Sequence, residues 1–294
     1  MEVRSNRIGD VRSHYRRKLG EVYTEKEADS MLFLVLMEYT GHSKSGILTK
    51  HDEAISESQL LKIHFAVKDL MNEKPVQYVL GKTEFYGLPF IVNSKVLIPR
   101  PETEELVELA LEELKDISLP RIIDLGTGSG CIAVTIKKNR PEADVTAIDI
   151  SDFALEVAAI NADLNDAVIR FRKFNMLNTG EWTDDLVFDA IISNPPYVRK
   201  KEKMAMKRNV LEYEPDLALF VEDNDPLDFY RSIIELAGRY LVVGGHVLCE
   251  INQYLADDVM TLFKAHGFGE VEVRSDFRGN PRVLSCRNHQ KGER

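Results

Sequence analysis

What this sequence has little of narrows it first. Cysteine is sparse: three residues, Cys131, Cys249 and Cys286, odd in number and far apart. That pattern offers no disulfide framework and fits a reducing compartment. The seven histidines are scattered, and none stands at metal-ligand spacing from another, so no metal is expected. There is no run of about 18 apolar residues, so no membrane-spanning helix is expected. Met1-Glu2-Val3-Arg4 lacks the apolar core of a signal peptide, which points to a cytoplasmic location. Positive charge is also short: 38 Lys plus Arg face 48 Asp plus Glu, a net charge of −10. Wide binding along a phosphate backbone needs clustered Lys and Arg. Neither nucleic acid nor membrane is therefore an expected partner, whereas a basic protein partner or a local basic patch remains compatible.

What is present is an ordinary globular composition, 44% apolar over 294 residues. That is enough chain for a large domain plus a small one. Residues 1–74 read as helical. Thr24-Glu25-Lys26-Glu27 has the form of a capping box ahead of the apolar run Met31 to Met37, and Ser56-Glu57-Ser58-Gln59 repeats the signal. Leu60, Ile63, Val67 and Leu70 then recur at helical spacing. Charge over 1–74 cancels, with 12 basic and 12 acidic residues, so the net negative charge lies in 75–294, where 26 face 36. This shift supports a boundary near Pro75. The first segment carries no evident chemistry and reads as a recognition module or a packing appendage.

Residues 75–98 change character. Glu84 to Val92 holds two β-prone runs around Gly87, a hairpin pattern. In Leu97-Ile98-Pro99-Arg100-Pro101-Glu102-Thr103-Glu104, Pro101 suits the first position of a helix, with two acids in its positive first turn. The segment reads as a plain helix start or, given prolines on both sides of Arg100, as one wall of an active site.

Arg121 to Leu125 reads as a strand entering the turn Gly126-Thr127-Gly128-Ser129-Gly130, with a helix from Cys131. Glycines let a backbone approach a ligand closely. A dinucleotide site wants its third Gly or Ala three residues after the second, where this chain has Cys131. The alternate glycines favour S-adenosylmethionine (AdoMet), which has no pyrophosphate to seat. Asp144 to Asp149 reads as the next strand. Its terminal acid suits the two hydroxyls of a ribose, or alternatively caps the helix that follows. Val168 to Phe171 reads as a third strand, followed by Asn175 and Met176 where such a sheet meets an adenine. Residues 187–193 read as the fourth.

That fourth strand ends in Asn194-Pro195-Pro196-Tyr197. The prolines fix φ and remove two N–H donors, so the loop offers mainly oxygen acceptors. Asn194 adds a side-chain carbonyl and Tyr197 a flat face, a fit for a planar group carrying NH2. On local sequence alone it reads equally as a rigid turn. Strand ends carrying Gly126, Asp149 and Asn194 into one cleft favour the clamp.

Together these motifs resemble class I methyltransferases that modify planar exocyclic nitrogens. Pro75-Val76-Gln77-Tyr78-Val79-Leu80-Gly81, the stretch 97–104 and Tyr213-Glu214-Pro215 narrow the resemblance to the HemK/PrmC family, over about residues 5–287. The resemblance implies a Rossmann-like α/β fold, a seven-stranded, mostly parallel sheet behind a small N-terminal helical bundle. It implies methyl transfer from AdoMet, without a metal, to the glutamine of the Gly-Gly-Gln loop of class 1 peptide chain release factors. AdoMet contacts then fall on Gly126, Thr127, Gly128, Ser129, Gly130, Asp149, Asn175, Met176 and Asn194. Glutamine contacts fall on Asn194, Pro195, Pro196 and Tyr197, with Asn194, Pro195 and Tyr197 serving the chemistry. The expected division is a helical substrate-recognition domain at 1–74, a hairpin linker at 75–98 and the methyltransferase domain at 99–294. The chain departs from the family in reading Phe174-Asn175 for Gly-Asp, Asn252 for Gly after Glu250-Ile251, and Asp225-Pro226-Leu227 for Asp-Gly-Leu.

In the last third, residues 227–239 and Leu255 to Ala265 read as helices. Tyr240 to Ile251 reads as the fifth strand, and Glu270 to Asp276 with Arg282 to Cys286 as a final pair. Glu250 reads as a structural acid held by backbone donors, with a catalytic role as the alternative. Glu214 either supports the clamp or is solvated. The rival functions are a ribosomal-protein glutamine methyltransferase, a DNA or RNA adenine methyltransferase, and a binding protein that kept the fold.

Overall fold

Hydrophobic periodicity resolves into two compact units in the computed structural model, which describes Val3, residues 5–182 and residues 186–289. One unit runs to Gly81 and includes Lys207–Tyr213; the other comprises Lys82–Met206 and the chain from Glu214 onward.

The first unit is helical: α1 (Ile8–Leu19), α2 (Glu25–Thr40), α3 (Lys44–Thr49), α4 (Glu57–Met71) and α5 (Val76–Leu80). Both sequence-read capping boxes are formed, Thr24 with Glu27 and Ser56 with Gln59. Each satisfies two orphan backbone donors at a helix start. The buried stripes Ile8, Val11, Tyr15 and Leu19 on α1 and Ile63, Val67 and Leu70 on α4 meet Leu32 and Leu36 of α2 in one core.

In the second unit, β1 (Lys82–Phe85) and β2 (Leu88–Ile91) form the expected hairpin, and α6 (Pro101–Glu113) starts at Pro101. The chain then alternates β3 (Arg121–Leu125), α7 (Cys131–Asn139), β4 (Asp144–Asp149), α8 (Asp152–Leu164), β5 (Arg170–Lys173) and β6 (Phe188–Ser193). After β6 come β7 (Val198–Arg199), α9 (Arg208–Tyr213), β8 (Phe220–Val221), α10 (Asp228–Tyr240), β9 (Leu241–Glu250), α11 (Ala256–Ala265), β10 (Phe268–Ser275) and β11 (Pro281–Asn288). Of these, α9 belongs to the helical unit. There Tyr213 Oη donates to the Asn72 carbonyl at 2.8 Å and Arg208 pairs with Glu73 at 3.1 Å.

The large sheet has seven strands in the order β10-β11-β9-β6-β3-β4-β5, and only β11 runs antiparallel to its neighbours. This is the mostly parallel α/β sheet that the motifs imply. Buried strands read as near-continuous apolar runs, and β3, β4 and β6 do so. Strand order reverses between β3 and β6. In open α/β sheets ligands bind beside that point, outside the carboxyl ends of the strands.

Register fixes what gathers there. Leu125 lies opposite Ile148 on one side and Ser193 on the other, and Ser193 lies opposite Cys249. One or two residues on, Gly126, Asp149, Asn194 and Glu250 leave the sheet at the same edge. No described helix is long and apolar enough to cross a membrane.

Candidate active site

A cavity of about 400 Å³ opens at that edge. Its floor is the glycine turn. Gly126 and Gly128 hold φ at 74° and 54°, a backbone region costly to any residue with a Cβ. The turn is tied back by its own amides: Gly126 and Thr127 both donate to the Ile148 carbonyl, at 3.0 and 2.8 Å. Thr127 Oγ1 donates to Asp124 Oδ2 at 2.6 Å. Gly126, Thr127, Gly128 and Ser129 line the cavity, and Gly130 stands behind it as the N-cap of α7. At Gly130 φ is 80°, and an added Cβ would lie 3.0 Å from the Ala158 Cβ. Gly130→Ala is therefore expected to lower stability by about 1–2 kcal/mol, from left-handed strain and overpacking. Denaturant midpoints against wild type measure it.

Asp149 ends β4 and lines the cavity. Its Oδ2 accepts Gly128 N–H and its Oδ1 accepts Ser151 N–H, both at 2.9 Å. The acid thus shapes the glycine turn, and each oxygen keeps a lone pair for a ligand. The helix cap after it falls to Ser151, whose hydroxyl accepts from Ala154 N–H. Burial pushes the Asp149 carboxyl above its ordinary value, against the pull of those two amides.

Behind the turn, Asp124 is fully buried, and its Oδ1 has no hydrogen-bond partner among the described residues. Burial first pushes its carboxyl up to about 7. A raised folded-state value stabilises the fold below the unfolded value near 4, and that stability is lost as pH rises through about 7. Asp124→Asn is expected to gain on wild type by on the order of 2–3 kcal/mol between pH 5 and pH 8. Urea midpoints at the two pH values test the sign.

Phe174, Asn175, Met176 and Leu177 form the wall after β5, and Asn175 Oδ1 accepts from Leu177 N–H at 3.1 Å. The opposite wall comes from the bridge segment, Ser94 to Leu97 with Pro99, Arg100 and Thr103. Arg100 donates to Glu214 Oε1 at 2.6 Å, and the Glu214 side chain is 1% exposed. Arg100 thus lines the cavity just before the helix that starts at Pro101, and Glu214 is a buried partner of Arg100 rather than a solvated acid. Pro215, Leu217, Ala218 and Phe229 complete the lining.

Of the four-residue loop after β6, Asn194 and Pro196 line the cavity. Asn194 Nδ2 donates to Thr103 Oγ1 at 3.2 Å. Pro195 and Tyr197 are not among the lining residues. The reason is an anchor: Tyr197 Oη donates to Glu250 Oε2 at 3.3 Å, and the ring packs against the core beside β9. The Tyr197 carbonyl accepts from Asn252 Nδ2 at 2.9 Å, so the residue that departs from the family pattern braces the back of the loop. Glu250 is 1% exposed, and burial pushes its carboxyl up to about 7.

Sequence reading missed Ser94 to Val96 and Phe229 as cavity residues. Thr103 stood inside a noted motif, but its partner Asn194 is 91 positions away. Among the described residues, no group of three or more His, Cys, Asp or Glu is placed to hold a metal ion.

Comparison with known proteins agrees with this architecture. Residues 104–214 match the model of the methyltransferase small domain, and residues 10–81 that of the PrmC N-terminal domain. The release factor glutamine methyltransferase of Flavobacterium psychrophilum is 45% identical over 280 residues, covering 94% of this chain and 98% of that protein. That of Bacteroides thetaiotaomicron is 38% identical over 276 residues, covering 94% and 98%. Among solved structures, the human methyltransferase 10 domain containing protein superposes with a TM-score of 0.51 at 17% identity, covering 70% of this chain and 91% of that one. That likeness concerns the fold alone.

Proposed function

The chain belongs to the HemK/PrmC family of release factor glutamine methyltransferases, and on that premise we propose its reaction in full. It transfers a methyl group from AdoMet to the side-chain amide nitrogen, N5, of the glutamine in the Gly-Gly-Gln motif of class 1 peptide chain release factors. It thereby modulates translation termination.

The observation that carries this reading is the meeting of Gly126, Asp149 and Asn194 at neighbouring strand ends around one cavity. The residues present fit AdoMet. The glycine turn has open space where side chains would stand, since a Cβ at Gly126 or Gly128 meets nothing within 4 Å. Asp149 has lone pairs for a ribose, and Ile150, Phe174, Met176 and Leu177 supply apolar wall for a base. When bound, AdoMet supplies a methyl group on a sulfonium.

The remaining chemistry falls to the chain. An amide nitrogen is a weak nucleophile because its lone pair is delocalised into the carbonyl. Asn194 Oδ1 and the Pro195 carbonyl accept its two N–H bonds, which orients the nitrogen and favours positive charge building there. Pro195 and Pro196 keep this tip stiff and free of competing N–H donors. Tyr197 holds the tip through its hydroxyl. The N-methylated amide cation loses its proton readily, so no strong general base is required. We assign the segment 1–74 to recognition of the protein substrate, with 75–98 as the linker that brings Ser94 to Leu97 to the wall.

The test is transfer of labelled methyl from AdoMet to purified unmethylated release factor, ribosomal proteins and DNA, side by side. Label on the release factor alone is expected. Label on ribosomal protein or DNA instead would reassign the substrate.

A further inference from the structure

Glu250 is the buried acid that the reaction above leaves unused, and its surroundings give it a task. It ends β9 one residue beyond Cys249, which lies opposite Ser193, so Glu250 and Asn194 leave the sheet side by side. Its Oε2 accepts from Tyr197 Oη. Its Oε1 has no hydrogen-bond partner among the described residues, yet Thr103 is close enough for its hydroxyl to favour the charged carboxylate more than any other group does. Thr103 Oγ1 in turn meets Asn194 Nδ2 at 3.2 Å. One carboxylate therefore binds one end of the four-residue loop through Tyr197 and lies beside Thr103, the residue that binds the other end.

The loop needs this because its key contact is ambiguous. A hydroxyl donates as readily as it accepts, so Thr103 alone does not select which end of the Asn194 amide it binds. If Thr103 donated to Oδ1, the amide would turn its NH2 toward the cavity and repel a substrate NH2. An ionised carboxylate is acceptor-only. A Thr103 O–H turned toward it leaves the hydroxyl's lone pairs for Asn194 Nδ2. We infer that Glu250 is a positioning residue: with Thr103 it fixes the Asn194 amide so that Oδ1, and not Nδ2, faces the cavity. This rests on the reading of Asn194 as the acceptor for the substrate amide.

Protonation of Glu250 removes the preference, because a carboxylic acid can donate to Thr103 and reverse the chain. The groups facing Glu250 are Glu102 and Thr103 of α6, Tyr197 of the loop, Arg282 of β11 and Cys131 of α7, while Tyr230 of α10 donates to its backbone carbonyl. Arg282 favours the carboxylate, and Glu102 with burial opposes it, burial being the larger. With its carboxyl raised to about 7, the rate falls as pH drops through that value.

The experiment is steady-state methyl transfer to release factor from pH 6 to 9, with AdoMet affinity by calorimetry on the same proteins. Glu250→Gln replaces one of the two acceptor oxygens by an NH2 donor and removes the charge. It is expected to lower kcat by roughly tenfold or more, the scale of one misaligned dipole, with the KM for release factor and AdoMet affinity within about twofold of wild type. Its pH profile is expected to be flat through the region where wild type declines. Thr103→Val is expected to lose a similar factor in kcat, and Thr103→Ser, which keeps the hydroxyl, to recover most of it. That pair decides the matter if Glu250→Gln does not fold. Wild-type kcat and pH profile in Glu250→Gln, or equal kcat in Thr103→Val and Thr103→Ser, overturns the inference. Asn194→Ala in the same assay separates the two readings. If it is impaired and Glu250→Gln is not, only the positioning role fails; if it turns over normally, the acceptor role fails first.

Discussion

Asn194→Ala is expected to lower methyl transfer by about 10²-fold or more while leaving AdoMet affinity within about twofold, the scale found when one preorganised dipole is removed from a transition state. The asymmetry follows from position. Asn194 lines the cavity at the end of β6, while the glycine turn and Asp149 are held by their own backbone hydrogen bonds. Truncating Asn194 leaves those intact and leaves Thr103 able to bind water. What is lost is the oxygen that orients the amide nitrogen and meets its growing positive charge. A rate loss carried by kcat rather than by AdoMet affinity marks that role. Single-turnover assays with calorimetry on the same protein read both quantities.

Asp149→Ala is expected to weaken AdoMet binding by about 2–3 kcal/mol, the cost of losing charge-assisted hydrogen bonds at a partly buried site. Two effects add. The carboxylate no longer accepts from a ribose, and Gly128 N–H and Ser151 N–H lose the acceptor that sets the turn. Asp149→Asn separates them, because an amide oxygen can still accept one backbone N–H. An affinity between those of wild type and Asp149→Ala is the expected result, measured by calorimetric titration with AdoMet.

The sheet was legible because each parallel strand is a short apolar run with a polar residue at its end, and the glycine turn names the first of them. β5 is displaced, lying at Arg170–Lys173 rather than starting at Val168, which is 82% exposed, and β10 starts at Phe268 rather than Glu270. The alternating charged residues of β5 obscured its boundary. Gly126, Asp149 and Asn194 were legible as a group because topology brings consecutive strand ends together. The anchor of Tyr197 was not: a buried acceptor in β9 takes its hydroxyl. Glu250 was read as a structural acid satisfied by backbone donors; the donor to its carboxylate is instead the side chain of Tyr197. Such pairings depend on the register of β6 against β9 and on the seating of α6, which local pattern does not encode. The segment Lys207–Tyr213 joining the helical unit was invisible for the same reason, since Tyr213 meets Asn72 far back in the chain.

The most direct test of the central claim is a crystal structure of the protein with S-adenosylhomocysteine and a Gly-Gly-Gln peptide. The account predicts the glutamine amide nitrogen about 3 Å from both Asn194 Oδ1 and the Pro195 carbonyl, with the vacant methyl position in line beyond it. A glutamine amide bound elsewhere, or an Asn194 side chain presenting Nδ2 to it, would contradict the account.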